Sequence, residues 1–157
     1  MDNIPSKIEF SYHFTSNEAD IPKKLKKEPS IAFRIEGDFE ITINGVSYFQ
    51  ENLTLLEFYL YLHRWFNHIN KKGLQAFYYY SMEWDKDEPI ISIIPYNNKA
   101  QITSIWRKTE MYTVFDLSYI LSELESLENK LGQDIEKHYD LSLNTFIGKV
   151  PLRKIKD

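Results

Sequence analysis

Hydrophobic and polar residues alternate along residues 31–49, and this alternation predicts a β-hairpin. The apolar side chains before its centre all occupy odd positions, which places them on one face of an extended chain: Ile31, Phe33, Ile35, Phe39, Ile41 and Ile43. Asn44-Gly45 interrupts the pattern and suits the two positive φ angles of a type I′ turn. We therefore expect Val46 to pair with Ile43, and Tyr48 to pair with Ile41.

Similar runs predict the remaining strands of the protein. They are rich in β-branched and aromatic residues and cover residues 7–14, 74–84, 90–96 and 100–108. Residues 15–30 are polar, contain two prolines and predict a loop with at most one helical turn. The hairpin region itself is expected to contain strands at residues 31–35, 39–43 and 46–50. About six to seven strands are therefore expected.

A first helix is predicted over residues 55–71, where apolar residues recur at helical spacing. Thr54 and Glu57 form a capping-box pattern at its start, and Gly73 supplies a stop. The apolar arc predicts that Leu62 and Phe66 are buried. The opposite arc is expected to face solvent: Glu57, Arg64, His68 and Lys71.

A second helix is predicted over residues 117–137, with Asp116 as its cap and with Leu124 and Leu131 buried. Gly132 weakens the helix interior by about 1 kcal/mol relative to Ala, which allows a kink or an early end there. These elements predict an α+β fold, in which one antiparallel sheet packs against two long helices. A single domain over residues 1–157 is expected.

Composition and charge narrow the function classes. The chain has 157 residues, 43% of them hydrophobic, and no cysteine, which excludes disulfides and thiolate chemistry. Its start lacks the pattern of a signal peptide and no apolar run nears the ~20 residues of a membrane span, so a soluble, cytoplasmic, bacterial-style protein is expected. The net charge is −4, and residues 116–140 alone carry −5. This acidity argues against a general nucleic-acid binder.

Candidate catalytic and metal-binding residues are few. His63 and His68 lie about 140° apart on the first helix and cannot share an ion. The acids of residues 83–88 lack the spacing of a calcium loop, so a solvated turn is favoured. Glu128 lies at the edge of the apolar stripe, where burial can raise a carboxyl pKa. A boundary acid paired with a neighbouring Lys, Arg or Tyr is favoured. No catalytic residue, metal site or cofactor is predicted.

A tyrosine-rich segment gives the strongest functional signal. In a strand over residues 76–84, Tyr78, Tyr80 and Trp84 face one side, and Tyr79 faces the other. If the helices cover one side of the sheet, the other is open and suited to protein binding. The alternative, that both sides are buried, stays open.

Three segments carry a resemblance to short uncharacterised proteins of bacilli. They are residues 35–41, 56–65 and 115–120, with the sequences IEGDFEI, LEFYLYLHRW and FDLSYI. The resemblance implies a structural rather than a catalytic family and brings no site residues. Size, acidity and build are also similar in style to immunity proteins that neutralise bacterial toxins.

These observations favour a non-enzymatic protein-binding module, of which a toxin-neutralising immunity protein is one form. The partner is expected to be another protein of basic charge, with self-association left open and no nucleic acid or membrane involved. A small hydrolase or transferase is the alternative. A nucleic-acid or membrane-surface protein that uses the lysines of residues 23–27 is a third. The residues expected to bind the partner are Tyr78, Tyr79, Tyr80, Trp84, Glu123, Glu125 and Glu136.

Overall fold

The first three strands form an antiparallel sheet in the order β1-β2-β3. The computed structural model describes residues 5–154. The strands are β1 (Ile8–Phe14), β2 (Glu36–Ile43) and β3 (Val46–Thr54). The expected first strand is confirmed, and its even-numbered side chains face the core. Residues 15–28 form the predicted loop, but it contains two short 3₁₀ turns, Glu18–Asp20 and Lys23–Leu25, where at most one helical turn was expected.

The turn between β2 and β3 has the predicted geometry. Asn44 has a φ of 51° and Gly45 a φ of 80°, so both central residues have the positive φ that a type I′ turn requires. Ile43 pairs with Val46 as expected. Tyr48 does not pair with Ile41, because an irregularity beside Ile41 brings Phe49 opposite it instead. The irregularity lets the consecutive residues Tyr48 and Phe49 both lie in the core.

The expected strand over residues 31–35 is wrong. Residues Pro29–Arg34 form a 3₁₀ helix, with Pro29 at its start. Proline presets φ for the first helical position, and this local preference prevails over the alternating pattern. Ile31 and Ala32 are nevertheless buried, because the helix packs against the first long helix of the fold.

The first long helix, α1 (Leu55–Lys72), follows β3 without a loop and ends at Gly73. Almost every side chain in its first two turns is buried, which is typical of a helix enclosed by the core. The Phe58 ring contacts Phe39 of the first sheet and also Phe77 and Tyr79 further along the chain. Helix α1 is therefore the centre of the fold.

The second sheet contains β4 (Phe77–Tyr79), β5 (Ile91–Tyr96), β6 (Lys99–Ser104) and β7 (Val114–Asp116). These strands pair in chain order, all antiparallel. The long strand expected over residues 74–84 is thus only three residues long. The seven strands belong to two sheets rather than one, because α1 carries the chain away from β3 before the next strands pair with one another.

The second long helix, α2 (Leu117–Tyr139), begins directly after β7 and packs against α1 and strands of both sheets. Leu124 and Leu131 are buried as predicted, and so is Leu62 of α1, whereas Phe66 is only partly buried. Gly132 neither kinks nor ends the helix. It lies against the Tyr59 ring, so a side chain at this position would overlap that ring.

Candidate functional site

Strand β4 separates the predicted tyrosines into different environments. Tyr78 faces outward and is 41% exposed, whereas Tyr79 faces inward and is fully buried. Tyr80 follows the strand and is partly buried, with the Arg153 guanidinium 4.5 Å from the centre of its ring. Trp84 lies in the next turn and packs edge-on against Trp106. Of these four residues, Tyr79 is inaccessible to a partner.

Tyr79 instead belongs to a buried hydrogen-bond network around Glu57. The Glu57 carboxylate is fully buried and accepts hydrogen bonds from Thr54 Oγ1 at 2.7 Å, Tyr79 Oη at 3.1 Å and the Met82 backbone N–H at 3.0 Å. Burial, followed by the nearby Glu57 charge, raises the pKa of Tyr79, so the phenol remains a donor. The expectation that Glu57 faces solvent is wrong, because the chain after β4 covers this side of α1.

The side of the second sheet that faces away from the helices is open. The strand register places Tyr78 beside Ser92, and Ile94 beside Gln101 and Val114. Five large apolar side chains on this side are at least 36% exposed, and we call them the outer face: Tyr78, Ile94, Tyr96, Ile105 and Val114. The intervening residues point inward and form the core. The outward side of the second sheet is therefore exposed, which is one of the two alternatives that the sequence left open. Of the five outer-face residues, only Tyr78 was among those expected.

A groove of about 510 Å³ lies between β4 and α1. Its walls are residues 75–78 with Tyr80 and Pro89, the α1 side chains Tyr61, Arg64 and Trp65, and the C-terminal residues Arg153 and Lys154. We call it the edge groove. Its volume lies within the range of sites that bind small molecules or short peptide segments.

The edge groove is rich in cations and aromatic rings. The Arg64 guanidinium stacks 5.0 Å from the centre of the Tyr61 ring, and Arg153 stacks on Tyr80. No acid lines the groove in the described part of the chain, although Arg153 pairs with Asp87 outside it. Arg64 is partly buried, and this burial lowers the pKa of its guanidinium group. Such a cation favours an anionic neighbour.

The acids expected to bind a partner lie on α2. Glu125 is exposed, Glu123 is partly exposed, and neither forms an ion pair within residues 5–154. Glu136 is exposed, but its Oε2 accepts a hydrogen bond from the Leu143 backbone N–H at 2.9 Å. Glu136 therefore also secures the chain where it turns after α2. None of the three acids lines the edge groove, where Tyr78 and Tyr80 lie.

His63 and Glu128 form a contact between α1 and α2. His63 Nδ1 lies 3.2 Å from Glu128 Oε1, and His63 Nε2 lies 3.2 Å from Asn67 Nδ2. A histidine that donates through Nδ1 and accepts through Nε2 satisfies both contacts. Burial raises the pKa of Glu128, and the hydrogen bond from His63 opposes the shift. Glu128 is thus a boundary acid with a partner, which here is a histidine rather than the Lys, Arg or Tyr expected.

A second cavity, of about 320 Å³, lies beside His63 and is lined mostly by apolar residues of α1 and of residues 146–152. Both ring nitrogens of His63 thus have a hydrogen-bond partner within residues 5–154, Glu128 at Nδ1 and Asn67 at Nε2. Between residues 5 and 154, no cluster of three or more His, Asp or Glu side chains is arranged to hold a metal ion. Within the same residues, no helix has the length and apolar character needed to span a membrane.

Three features were missed by reasoning from the sequence. The outer-face residues Ile94 and Tyr96 belong to residues 90–96, where isoleucines occupy both odd and even positions, so no alternation marks the exposed side. The only signal for Glu57 was its spacing from Thr54, which pointed to a cap rather than to a buried network. Arg64 and Arg153 line the same groove only in the folded protein, since 89 positions separate them in the sequence.

Comparison with known proteins gives a family for this fold. Residues 10–137 match the family described as a domain of unknown function, DUF7878. No curated protein and no solved structure matches the chain. Since the match covers most of the chain, the protein belongs to the DUF7878 family.

Proposed function

We propose that this member of the DUF7878 family is a non-enzymatic protein-binding module. The outer face of the second sheet is the observation that supports the proposal, because a four-stranded antiparallel sheet exposes five large apolar side chains together there. Apolar patches of this kind are typical of protein interaction sites. Tyr78 and Tyr96 offer large, rigid contact areas with hydroxyl groups for hydrogen bonds.

The proposed partner is a protein of net basic charge. Residues 116–140 carry a charge of −5, and the helix that contains most of these acids begins at the β7 edge of the outer face. Acids near an apolar contact surface raise the rate of encounter with a positively charged partner without needing to touch it. Two copies of this chain, each with a charge of −4, repel one another over the same distances, so a different protein fits better than a second copy.

A finer form of the proposal is that the partner is a basic toxin, such as a nuclease, which this chain neutralises in the cytoplasm of the producing bacterium. The acidic α2 supports it, because an acidic protein is complementary to a surface that binds nucleic acid. Co-expression of this chain with a toxin encoded by a neighbouring gene is the test, with survival of the cells as the expected result. Death of cells that contain both proteins would contradict toxin neutralisation, but not the proposal that the chain is a protein-binding module.

The direct test is affinity capture followed by a binding measurement with the captured protein. We expect Ile94→Ala with Tyr96→Ala to weaken binding by about tenfold or more, since truncation of central apolar contacts typically costs over 1 kcal/mol. Val46→Ala is the matched control, because Val46 is an apolar residue that is 47% exposed and lies in β3 of the first sheet. Equal binding by the double variant and the control would overturn the proposal.

Self-association is tested separately by light scattering of the purified protein. We expect a monomer for the wild-type chain. A dimer that dissociates in the Ile94→Ala, Tyr96→Ala variant would show that the outer face binds a second copy of the chain. That result would replace the basic partner in the proposal.

A further inference from the structure

Strand β4 has one free edge. It pairs with β5 on one side, and no strand within residues 5–154 pairs with its other side. Phe77 points into the core and Tyr78 points to the outer face, yet both line the edge groove. Since consecutive side chains of a strand point to opposite faces, a groove that touches both runs along the edge of the strand. A free strand edge presents backbone N–H and C=O groups that can pair with another chain.

The opposite wall of the edge groove is positively charged. It contains the side chains of Arg64, Arg153 and Lys154. Arg64 is partly buried and forms no ion pair with a carboxylate in the described part of the chain. The aromatic rings of Tyr61 and Tyr80 support the two guanidinium groups from behind. The groove thus combines a free strand edge with two guanidinium groups that stack on tyrosine rings and with the exposed ammonium group of Lys154.

We propose that the edge groove binds an extended, acidic peptide segment of a partner protein, which adds a fifth strand to the second sheet beside β4. Main-chain hydrogen bonds to the strand edge supply affinity in this kind of binding, and the pockets for alternate side chains supply selectivity. Strand β4 has three residues, so the ladder extends for about 10 Å. Carboxylates at alternate positions of the segment meet Arg64, Arg153 and Lys154.

A peptide fits the groove better than a nucleic acid does. Phosphate groups can use the three cations, but they leave the strand edge without main-chain partners. The net charge of −4 also repels a long polyanion, whereas a short acidic segment meets mainly the local positive charge. Tyr78 is the one outer-face residue that also lines the edge groove, whereas Ile94 and Tyr96 lie outside the groove. Substitutions at Ile94 and Tyr96 therefore let this inference and the proposed function fail independently.

The test uses the peptide acetyl-Glu-Val-Glu-Val-Glu-Val-amide with a fluorescent label, and measures its binding by anisotropy. In an extended strand the N–H groups of alternate residues point to the same side. N-methylation of either the Glu or the Val residues should therefore abolish binding, while methylation of the other set leaves it intact. Amide NMR signals of residues 75–80 should shift on binding. If both or neither of the methylated peptides bind, the proposed ladder is wrong.

Substitutions in the groove test the role of charge. We expect Arg64→Gln with Arg153→Gln to weaken peptide binding by about tenfold or more, because charge-assisted hydrogen bonds are lost. Lys71→Gln is the control, since Lys71 is exposed on α1 but outside the groove, and it should leave binding unchanged. Lys154→Gln, at an exposed position near the C-terminus, gives a weaker loss and provides a second variant if the double variant does not fold.

Two further measurements separate this site from its alternatives. Ile94→Ala with Tyr96→Ala should leave peptide binding unchanged, because these residues lie on the outer face rather than in the edge groove. A hexamer of deoxythymidine should bind more weakly than the acidic peptide. Equal or tighter binding of the oligonucleotide, or equal binding of a peptide with Lys in place of Glu, would overturn the proposal.

Discussion

Glu57 has a carboxylate that lies fully buried in an aromatic core, although carboxylates normally lie at the protein surface. Three donors satisfy it, and a buried acceptor without donors costs about 1–3 kcal/mol. We expect Glu57→Gln to lower the free energy of unfolding by a similar amount, because the amide N–H₂ would face donors rather than acceptors. Urea unfolding measures the change. Glu51→Gln, exposed on β3, is the control.

Tyr79→Phe provides a second measurement on the same network, because it removes one donor to Glu57 and keeps the ring. If the hydroxyl supports the carboxylate, the two substitutions are not additive in a double-mutant cycle. Additive effects, or a Glu57→Gln variant as stable as the wild type, would show that the network contributes little to stability.

The burial of Glu128 predicts a pH effect on stability. Burial raises the pKa of Glu128 above its ordinary value of 4.5, so above pH 4.5 the folded protein holds a proton that the unfolded chain has released. The stabilising contribution of this proton is complete below pH 4.5 and is lost as the pH rises through the folded pKa. Glu128→Gln should therefore gain stability relative to the wild type between about pH 4 and about pH 7. Urea unfolding at both pH values tests this, and a constant difference would contradict it.

Single positions show why the sequence predicts some burial correctly and misses other cases. Leu62, Leu124 and Leu131 lie at the centre of their apolar arcs, so any packing partner buries them. Glu57 lies on the polar arc, and only the path of the chain after β4 decides that this arc is covered. Helical periodicity describes one helix alone and contains no information about a loop that returns to it.

Among the secondary-structure elements, α2 tests the trade-off between helix propensity and packing. Alanine at Gly132 would favour the helix by about 1 kcal/mol, but its Cβ would lie 2.9 Å from the buried Tyr59 ring. Overpacking typically costs about 1–3 kcal/mol, so we expect Gly132→Ala to leave stability unchanged or lower it by up to about 2 kcal/mol. Thermal unfolding measures the outcome.

Gln133→Ala is the matched control for this helix, because Gln133 is the exposed neighbour of Gly132. It changes helix propensity without adding a buried atom, and should be neutral or slightly stabilising. A Gly132→Ala variant that is more stable than both the wild type and this control would show that Tyr59 yields without cost. The absence of a kink at Gly132 has the same origin, because packing against Tyr59 fixes the helix there.

The other elements differ in how far neighbouring residues in the sequence determine their secondary structure. The Asn44-Gly45 turn and the two helices depend on turn chemistry and apolar spacing, which the sequence displays directly. The short 3₁₀ helix that begins at Pro29 was missed, since alternation and a helix-starting proline conflict in the same segment. The aromatic run of residues 74–84 has high strand propensity along its length, but only its three central residues find a pairing partner.

For the molecule as a whole, the sequence predicted the class and the approximate number of strands but not their division into two sheets. Strand pairing depends on where α1 places β4, and no local pattern records that position. The open side of the second sheet follows from the same division, because the helices cover only its inner side. The candidate site was therefore predictable as a kind of surface and not as a set of residues.

The overall charge distribution leads to a prediction about association rates. If the acids of α2 steer a basic partner to the protein, Glu123→Gln with Glu125→Gln should lower the association rate constant and leave the dissociation rate constant almost unchanged. Glu136→Gln should act in the same direction, but it also removes the hydrogen bond to Leu143, so its stability has to be measured alongside.

Salt provides the independent measurement, since the range of exposed charges falls to about 8 Å at physiological ionic strength. We expect the association rate of the wild-type protein with its captured partner to fall steeply between about 0.01 M and about 0.15 M salt, and that of the double variant to fall less. Stopped-flow mixing measures both rates. If the outer face forms the apolar contact with the partner, Ile94→Ala with Tyr96→Ala should instead raise the dissociation rate. An association rate that changes neither with salt nor with the α2 substitutions would show that the acids of α2 contribute to solubility rather than to recognition.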